Sequence, residues 1–129
     1  MDEPRQFLPL TPQQFHILLA LSGAHRHGYG IIRDVAERTE GALRLGTGTL
    51  YTALARLEAL ALVGESDRRA PADEDDDRRR YYRLTPRGRA VLQAETARLD
   101  ALVNQARRKG IVAPRMRSGA VRPVPSRSR

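Results

Sequence analysis

Glycine and threonine residues cluster ahead of an apolar-patterned segment near the middle of the chain, where they could bind an anion. A small hydroxyl residue at a helix start lets a phosphate approach the free N–H groups, which the helix dipole favours. We expect Thr47 to be the N-cap of this helix, with Thr52 and Arg56 one and two turns along its exposed face. The candidate contact residues here are Thr47, Gly48, Thr49, Thr52 and Arg56.

A second cationic cluster comprises Arg78, Arg79, Arg80 and Arg83, which could grip phosphate. Five acidic residues at 73–77 immediately precede it and would repel phosphate. Two interpretations of the acidic run stay open: a solvated loop, or a loop tip that turns away from the polyanion or pairs with the arginines. Its spacing does not fit the Asp/Gly pattern of a calcium loop.

Catalytic and metal chemistry find little support. The chain has no cysteine, which excludes disulfides, thiolate nucleophiles and Cys-ligated metal sites. The three histidines, His16, His25 and His27, come without a suitably spaced acidic or thiolate partner for zinc, and a structural turn or packing role is expected for His27. No nucleophile elbow, P-loop or dinucleotide fingerprint occurs. We therefore predict no enzyme activity, no metal site and no cofactor.

The charge is unevenly distributed along the 129 residues. The net charge is +8, which favours a polyanionic partner, but residues 1–106 hold 15 arginines and 15 acids and are neutral. The whole excess lies in the last residues, which contain prolines, glycines and serines but no acid or aromatic residue. Residues 109–129 are predicted to be a disordered basic tail. No apolar run is long enough to cross a membrane, and no membrane partner is expected.

Caps and hydrophobic period define the elements that would position these residues. Thr11, Pro12 and Gln14 form a capping box, and Thr85-Pro86 repeats the N-cap and first-position signature. The segments around Val63 and Tyr82 change to a period of two and indicate a β-hairpin. The predicted elements are helices over about 12–23, 28–39, 48–61 and 86–108, and strands over 62–66 and 80–84.

Three helices followed by a hairpin is the order of a winged helix-turn-helix domain, whose third helix enters the DNA major groove. The fourth helix would be roughly 34 Å long, more than a core of this size needs, which suggests a dimer interface. The predicted fold is mainly α with a small β-hairpin. Its proposed dimerisation residues are Leu92, Leu99, Leu102, Val103 and Ala106.

Three sequence blocks resemble those of the PadR family of bacterial transcriptional regulators: residues 27–31 (HGYGI), 48–58 (GTLYTALARLE) and 80–88 (RYYRLTPRG). Their order and spacing also match, over roughly residues 10–106. The resemblance implies a homodimeric winged-helix repressor with a C-terminal dimerisation element and, in many members, a small-molecule effector site at or near the dimer interface.

The chain departs from the family pattern in two places. A single helix stands where many members have a longer C-terminal domain, which puts an effector pocket in doubt. Ala61 stands where a glycine is usual between the third helix and the first strand. Tyr51 lies at the border of the apolar stripe, and the sequence leaves it open between a core residue and a DNA contact.

We predict a cytoplasmic, nucleoid-associated homodimeric repressor that binds double-stranded DNA at a pseudo-palindromic operator. The expected organisation is an N-terminal arm over 1–10, the winged domain over 11–85, the dimerisation helix over 86–108 and the tail. One alternative is an architectural protein that binds DNA without sequence preference through its tail. Another is a protein–protein module that kept the fold and lost the operator.

Overall fold

The structure, a computed structural model, describes residues 3–67 and 80–111. The acidic run at 73–77 and residues 112–129, most of the predicted tail, lie outside the described residues. The described chain forms two compact units, one up to Ala97 and one from Arg98. The fourth helix begins in the first unit and ends in the second, so the predicted domain division at residue 85 stays a prediction.

The first unit contains most of the regular structure, and its mainly α composition with a small antiparallel sheet confirms the predicted fold class. A short 3-10 helix, Pro4–Phe7, precedes the other elements within the predicted arm and was not predicted. In chain order, the elements are α1 (Pro12–Ala20), β1 (Arg26–His27), α2 (Gly28–Arg38), α3 (Thr47–Ala59), β2 (Val63–Glu65), β3 (Tyr81–Leu84) and α4 (Pro86–Arg108).

The capping box predicted for α1 is present. The Gln14 N–H donates to Thr11 Oγ1, and the Thr11 N–H donates to Gln14 Oε1, both at 3.0 Å. Thr85 plays a similar role for α4, because its Oγ1 accepts from the Gly88 N–H at 2.9 Å. These two helix starts are therefore satisfied within the chain.

The sheet has three strands in the order β1-β3-β2, where the sequence predicted only the β2–β3 hairpin. Tyr82 pairs with Glu65 on one side and with Arg26 on the other. β1 is two residues long, too short for a period-two pattern to show in the sequence. The predicted strands are also each shorter by one or two residues than expected.

The hydrophobic core of the first unit joins α1, α2, α3 and the first half of α4. Its fully buried members include Ile17, Leu18, Ile31, Leu50, Leu54, Leu57, Leu62 and Val91. Phe7 and Leu8 of the N-terminal segment pack against this core, and the Leu10 N–H donates a buried hydrogen bond to Glu95 Oε2 at 3.0 Å. That bond fixes the start of α1 relative to α4.

Two backbone positions set how closely α3, β2 and α4 pack. A Cβ on Gly88 would overlap the backbone carbonyl of Leu62, so only glycine allows this contact. Ala61, where the family usually has glycine, adopts a left-handed conformation with φ +64°. That conformation explains why glycine is usual there, since it costs a residue with a Cβ about 1–2 kcal/mol.

In the second unit, α4 ends in a turn at Gly110, with φ +79°. The Ile111 N–H donates to the Ala106 carbonyl at 3.0 Å, which satisfies a carbonyl of the last turn. Two large apolar side chains of this part of the helix are exposed, Leu102 at 46% and Val103 at 40%.

Candidate nucleic-acid interface

The first turn of α3 is open to solvent, unlike the starts of α1 and α4. Gly46 is the N-cap and makes no side-chain hydrogen bond, so the prediction of Thr47 as the N-cap is wrong. Thr47 is instead the first helical residue, because the backbone becomes helical one residue earlier than the hydroxyl pattern suggested. Gly46, Thr47, Gly48 and Thr49 are all exposed. Orphan N–H groups at such a helix start attract anions.

Two of these residues are glycines that internal packing does not require. A Cβ built on Gly46 or on Gly48 would meet no heavy atom within 4 Å. Their φ angles are not in the left-handed region either. The absence of side chains here leaves room for another molecule to approach the backbone closely.

The two long faces of α3 differ in chemistry. Leu50, Leu54 and Leu57 are buried in the core. Thr52 and Arg56, four residues apart and therefore neighbours on one face, are exposed as predicted. A hydroxyl and a guanidinium on one exposed helix face can hydrogen-bond to phosphate oxygens and to base edges.

Tyr51 lies between these faces and is half-buried. Its ring packs against Gly28 at the start of α2, where a Cβ would overlap the Tyr51 hydroxyl. The structure thus gives Tyr51 a packing role between α2 and α3. This contact also explains why the first glycine of the HGYGI block, Gly28, has no side chain, which the sequence alone did not reveal.

In the hairpin, Arg83 Nε donates to the Glu65 backbone carbonyl at 3.3 Å, and Arg80 lies close to an acidic and an aromatic side chain. Arg80 Nη2 donates to Tyr82 Oη at 3.3 Å, the guanidinium lies 5.7 Å from the Tyr82 ring centroid, and Nη1 is 3.8 Å from Glu65 Oε1. The pKa of Arg80 is raised, mainly by electrostatic attraction to the Tyr82 hydroxyl, which is ionised at the high pH where arginine titrates, and then by the hydrogen bond to the same group. Half of the Arg80 side chain is exposed. Arg78 and Arg79 lie outside the described residues.

The histidines have structural contacts. His27 Nδ1 accepts from the Gly30 N–H at 3.0 Å and caps α2, which confirms the predicted turn role. His25 Nδ1 lies 2.6 Å from the Ser66 hydroxyl. Burial, followed by the charge of Arg38, lowers the pKa of His16. Among the described residues, no group of three His, Cys, Asp or Glu side chains is arranged to hold a metal ion.

The proposed dimerisation residues fall into two groups. Leu92 is 6% exposed and belongs to the core of its own chain, which corrects the expectation that it lines a dimer surface. It was assigned there because core and interface residues share one helical stripe. Leu99 and Ala106 are half-buried, and Leu102 and Val103 are exposed.

Within residues 3–67 and 80–111, no helix has the length and apolar character to cross a membrane.

A groove of about 570 Å³ runs along the exposed face of α3. Thr49, Thr52 and Arg56 line one wall, and the first turn of α1, with Thr11, Gln13 and Gln14, lines the other. No acidic side chain lines it. The sequence analysis missed the α1 wall, because Thr11 and Gln14 were fully explained as a capping box and nothing in the pattern brings α1 beside α3.

Comparison with protein families identifies a match over residues 17–94 to the Transcriptional regulator PadR-like family. The transcriptional regulator Rv3488 of Mycobacterium tuberculosis is 33% identical over 92 residues, which make up 71% of this chain and 79% of that protein. An uncharacterized 37.1 kDa protein in transposon TN4556 of Streptomyces fradiae is 42% identical over 93 residues. The match covers 70% of this chain and 24% of the Streptomyces protein's length.

Solved structures show the same fold. A PadR family transcription regulator from Clostridium difficile has a TM-score of 0.62 and 25% identity, with 77% of this chain and 98% of that chain covered. A transcriptional regulator from Clostridium thermocellum has a TM-score of 0.62 and 24% identity, with 84% and 93% covered.

Proposed function

This chain belongs to the PadR-like family of transcriptional regulators, and we propose that it is a homodimeric repressor whose α3 helices bind a pseudo-palindromic DNA operator. Such a regulator would act in the cytoplasm, associated with the nucleoid. The family and fold are those of a regulator, and no catalytic role is proposed.

The observation that carries the proposal is the open start and polar exposed face of α3. Among the helices α1, α3 and α4, this start alone lacks a side-chain cap in the described chain. Thr47, Gly48 and Thr49 would bind phosphate through the first turn, while Thr52 and Arg56 would reach base edges or phosphates further along. Arg78, Arg79 and Arg80 would contact the sugar–phosphate backbone of the DNA that flanks this site.

The dimer is supported by the exposed apolar residues Leu102 and Val103, with Leu99 and Ala106 beside them on the helix. Aliphatic side chains gain free energy by leaving water, and a second copy of the same helix would cover them. Two-fold symmetry would then place two α3 helices at half-sites about one DNA turn, roughly 34 Å, apart.

The decisive experiment is selection of duplexes from a random-sequence library by the purified chain, at two salt concentrations. A two-fold symmetric motif that survives the higher salt supports the proposal. Binding without a motif, lost when residues 107–129 are deleted, would instead identify a tail-driven DNA binder. Failure to retain any DNA would indicate a protein–protein module.

The repressor assignment has its own test, a promoter fused to a reporter gene with the selected motif placed within it. Expression should fall when the chain is present and recover when Arg56 is replaced by alanine; increased expression would indicate an activator.

The family resemblance also suggests a small-molecule effector. A compound that releases the chain from the selected duplex and raises its melting temperature would identify one.

A further inference from the structure

The groove beside α3 has a wall that the proposed function does not use. Gln13 lies on this wall in the first turn of α1 and is exposed, as Thr11 is. Gln14 and Thr11 are committed to the capping box, whereas Gln13 takes no part in it. The carboxamide of Gln13 therefore offers donors and an acceptor to whatever occupies the groove.

The dimensions of DNA indicate what that occupant is. An α-helix with its side chains is about 10–12 Å across and the major groove is about 12 Å wide, so α3 would fill the groove. Packed helices lie about 8–10 Å apart, axis to axis. An element packed beside the exposed face of α3, as the first turn of α1 is, would then lie over the rim of the major groove, where the sugar–phosphate backbone runs.

The lining of the groove is compatible with a phosphate. It combines the guanidinium of Arg56, threonine hydroxyls and two carboxamides, and no carboxylate would repel the anion. The groove is also continuous with the face of α3 that is proposed to contact DNA.

We propose that Gln13 contacts a DNA phosphate at the rim of the major groove that α3 occupies, so that α1 fixes the position of α3 on the duplex. This inference rests on the proposed function. Because a phosphate contact carries no base information, Gln13 would add affinity and register without altering the preferred sequence.

The test is a gain of binding, which a damaged fold would not produce. Gln13→Lys places an ammonium beside the phosphate and should tighten binding to a selected duplex about three- to tenfold at low salt. The slope of log K against log salt should steepen by about 0.9, the amount expected for one more neutralised phosphate. Gln93→Lys, the same change at an exposed position of α4, should leave the slope unchanged.

Two further variants separate the possible outcomes. Gln13→Ala should weaken binding to all selected sequences by the same factor; a loss of preference at one base position would overturn the phosphate contact. An unchanged slope for Gln13→Lys would overturn it as well. If Thr52→Ala and Arg56→Ala still weaken binding in that case, the proposed function of α3 stands without the α1 contact; if they too have no effect, the proposed function itself fails.

Discussion

The helix α3 and the second half of α4 both expose part of their surface, but the exposed side chains differ in kind. On α3 they are Thr49, Thr52 and Arg56, which can hydrogen-bond to a charged partner. On α4 they are Leu102 and Val103, which gain free energy only when they leave water. Exposure alone therefore does not identify a helix's partner, whereas the chemistry of the exposed face does.

The largest effect is expected on the apolar face. Leu102→Asp should raise the dissociation constant of the proposed dimer about 100-fold or more, because an unpaired carboxylate would be buried at the interface. Sedimentation equilibrium measures this constant. Ala101→Asp, an exposed position on the opposite side of the helix, is the matched control and should leave the dimer intact. A dimer that persists in Leu102→Asp would mean that this face does not mediate it.

The next effect is on the polar face. Arg56→Ala should weaken binding to the selected duplex about tenfold and reduce the magnitude of the salt slope by about 0.9, because one phosphate contact is lost. Fluorescence anisotropy at several salt concentrations measures both quantities. Arg56→Lys keeps the charge and should keep the slope. Equal affinity of Arg56→Ala and the unmodified chain would show that α3 presents another face to DNA.

A smaller effect tests whether the backbone of α3 approaches DNA closely. Gly48→Ala adds a methyl group that meets no atom of the chain, so thermal stability should be unchanged or higher. Binding to the duplex should nevertheless weaken about threefold, because the methyl group would stand between the first turn and a phosphate. Gly23→Ala, also with free space around the new Cβ, should bind normally. Unaltered binding by Gly48→Ala would argue against the close approach.

The last prediction concerns the stability of the fold next to α3 and not DNA binding. Ala61→Gly should raise the free energy of unfolding by about 0.5–1 kcal/mol, because glycine adopts a φ of +64° without a Cβ clash, and the larger entropy that glycine loses on folding offsets part of this gain. DNA affinity should not change. Ala55→Gly, at an exposed position in the middle of α3, should lower stability by up to about 1 kcal/mol. Urea unfolding measures whether the free energy of unfolding rises or falls in each variant. A lower value for Ala61→Gly would mean that the left-handed conformation at residue 61 does not limit stability.

Much of the fold could be predicted from the chain because its signals are local. The capping box at Thr11 and the cap at Thr85 depend on residues within three positions of each other. The apolar stripe of Leu50, Leu54 and Leu57 follows directly from helical spacing. The α3 face was predicted for the same reason, since residues four apart share a face in any helix.

The errors lie where distant segments meet. Leu92 and Leu102 belong to one continuous apolar stripe, and only the packing of the chain separates the buried residue from the exposed one. The strand β1 forms because Arg26 and His27 find β3 more than 50 residues away. One error is local: serine and threonine hydroxyls commonly cap helices, but the N-cap of α3 is Gly46, one residue before Thr47.

By itself, the sequence determined the helices, the hairpin and the polar face of α3, because periodicity and caps act over one or two turns. The tertiary structure decided that Gly28 and Gly88 are contact points, that Tyr51 packs against α2, and that α1 and α3 form one groove. These features depend on distances between segments remote in the chain, which no local pattern encodes. Gln13 acquires a proposed role only through that groove.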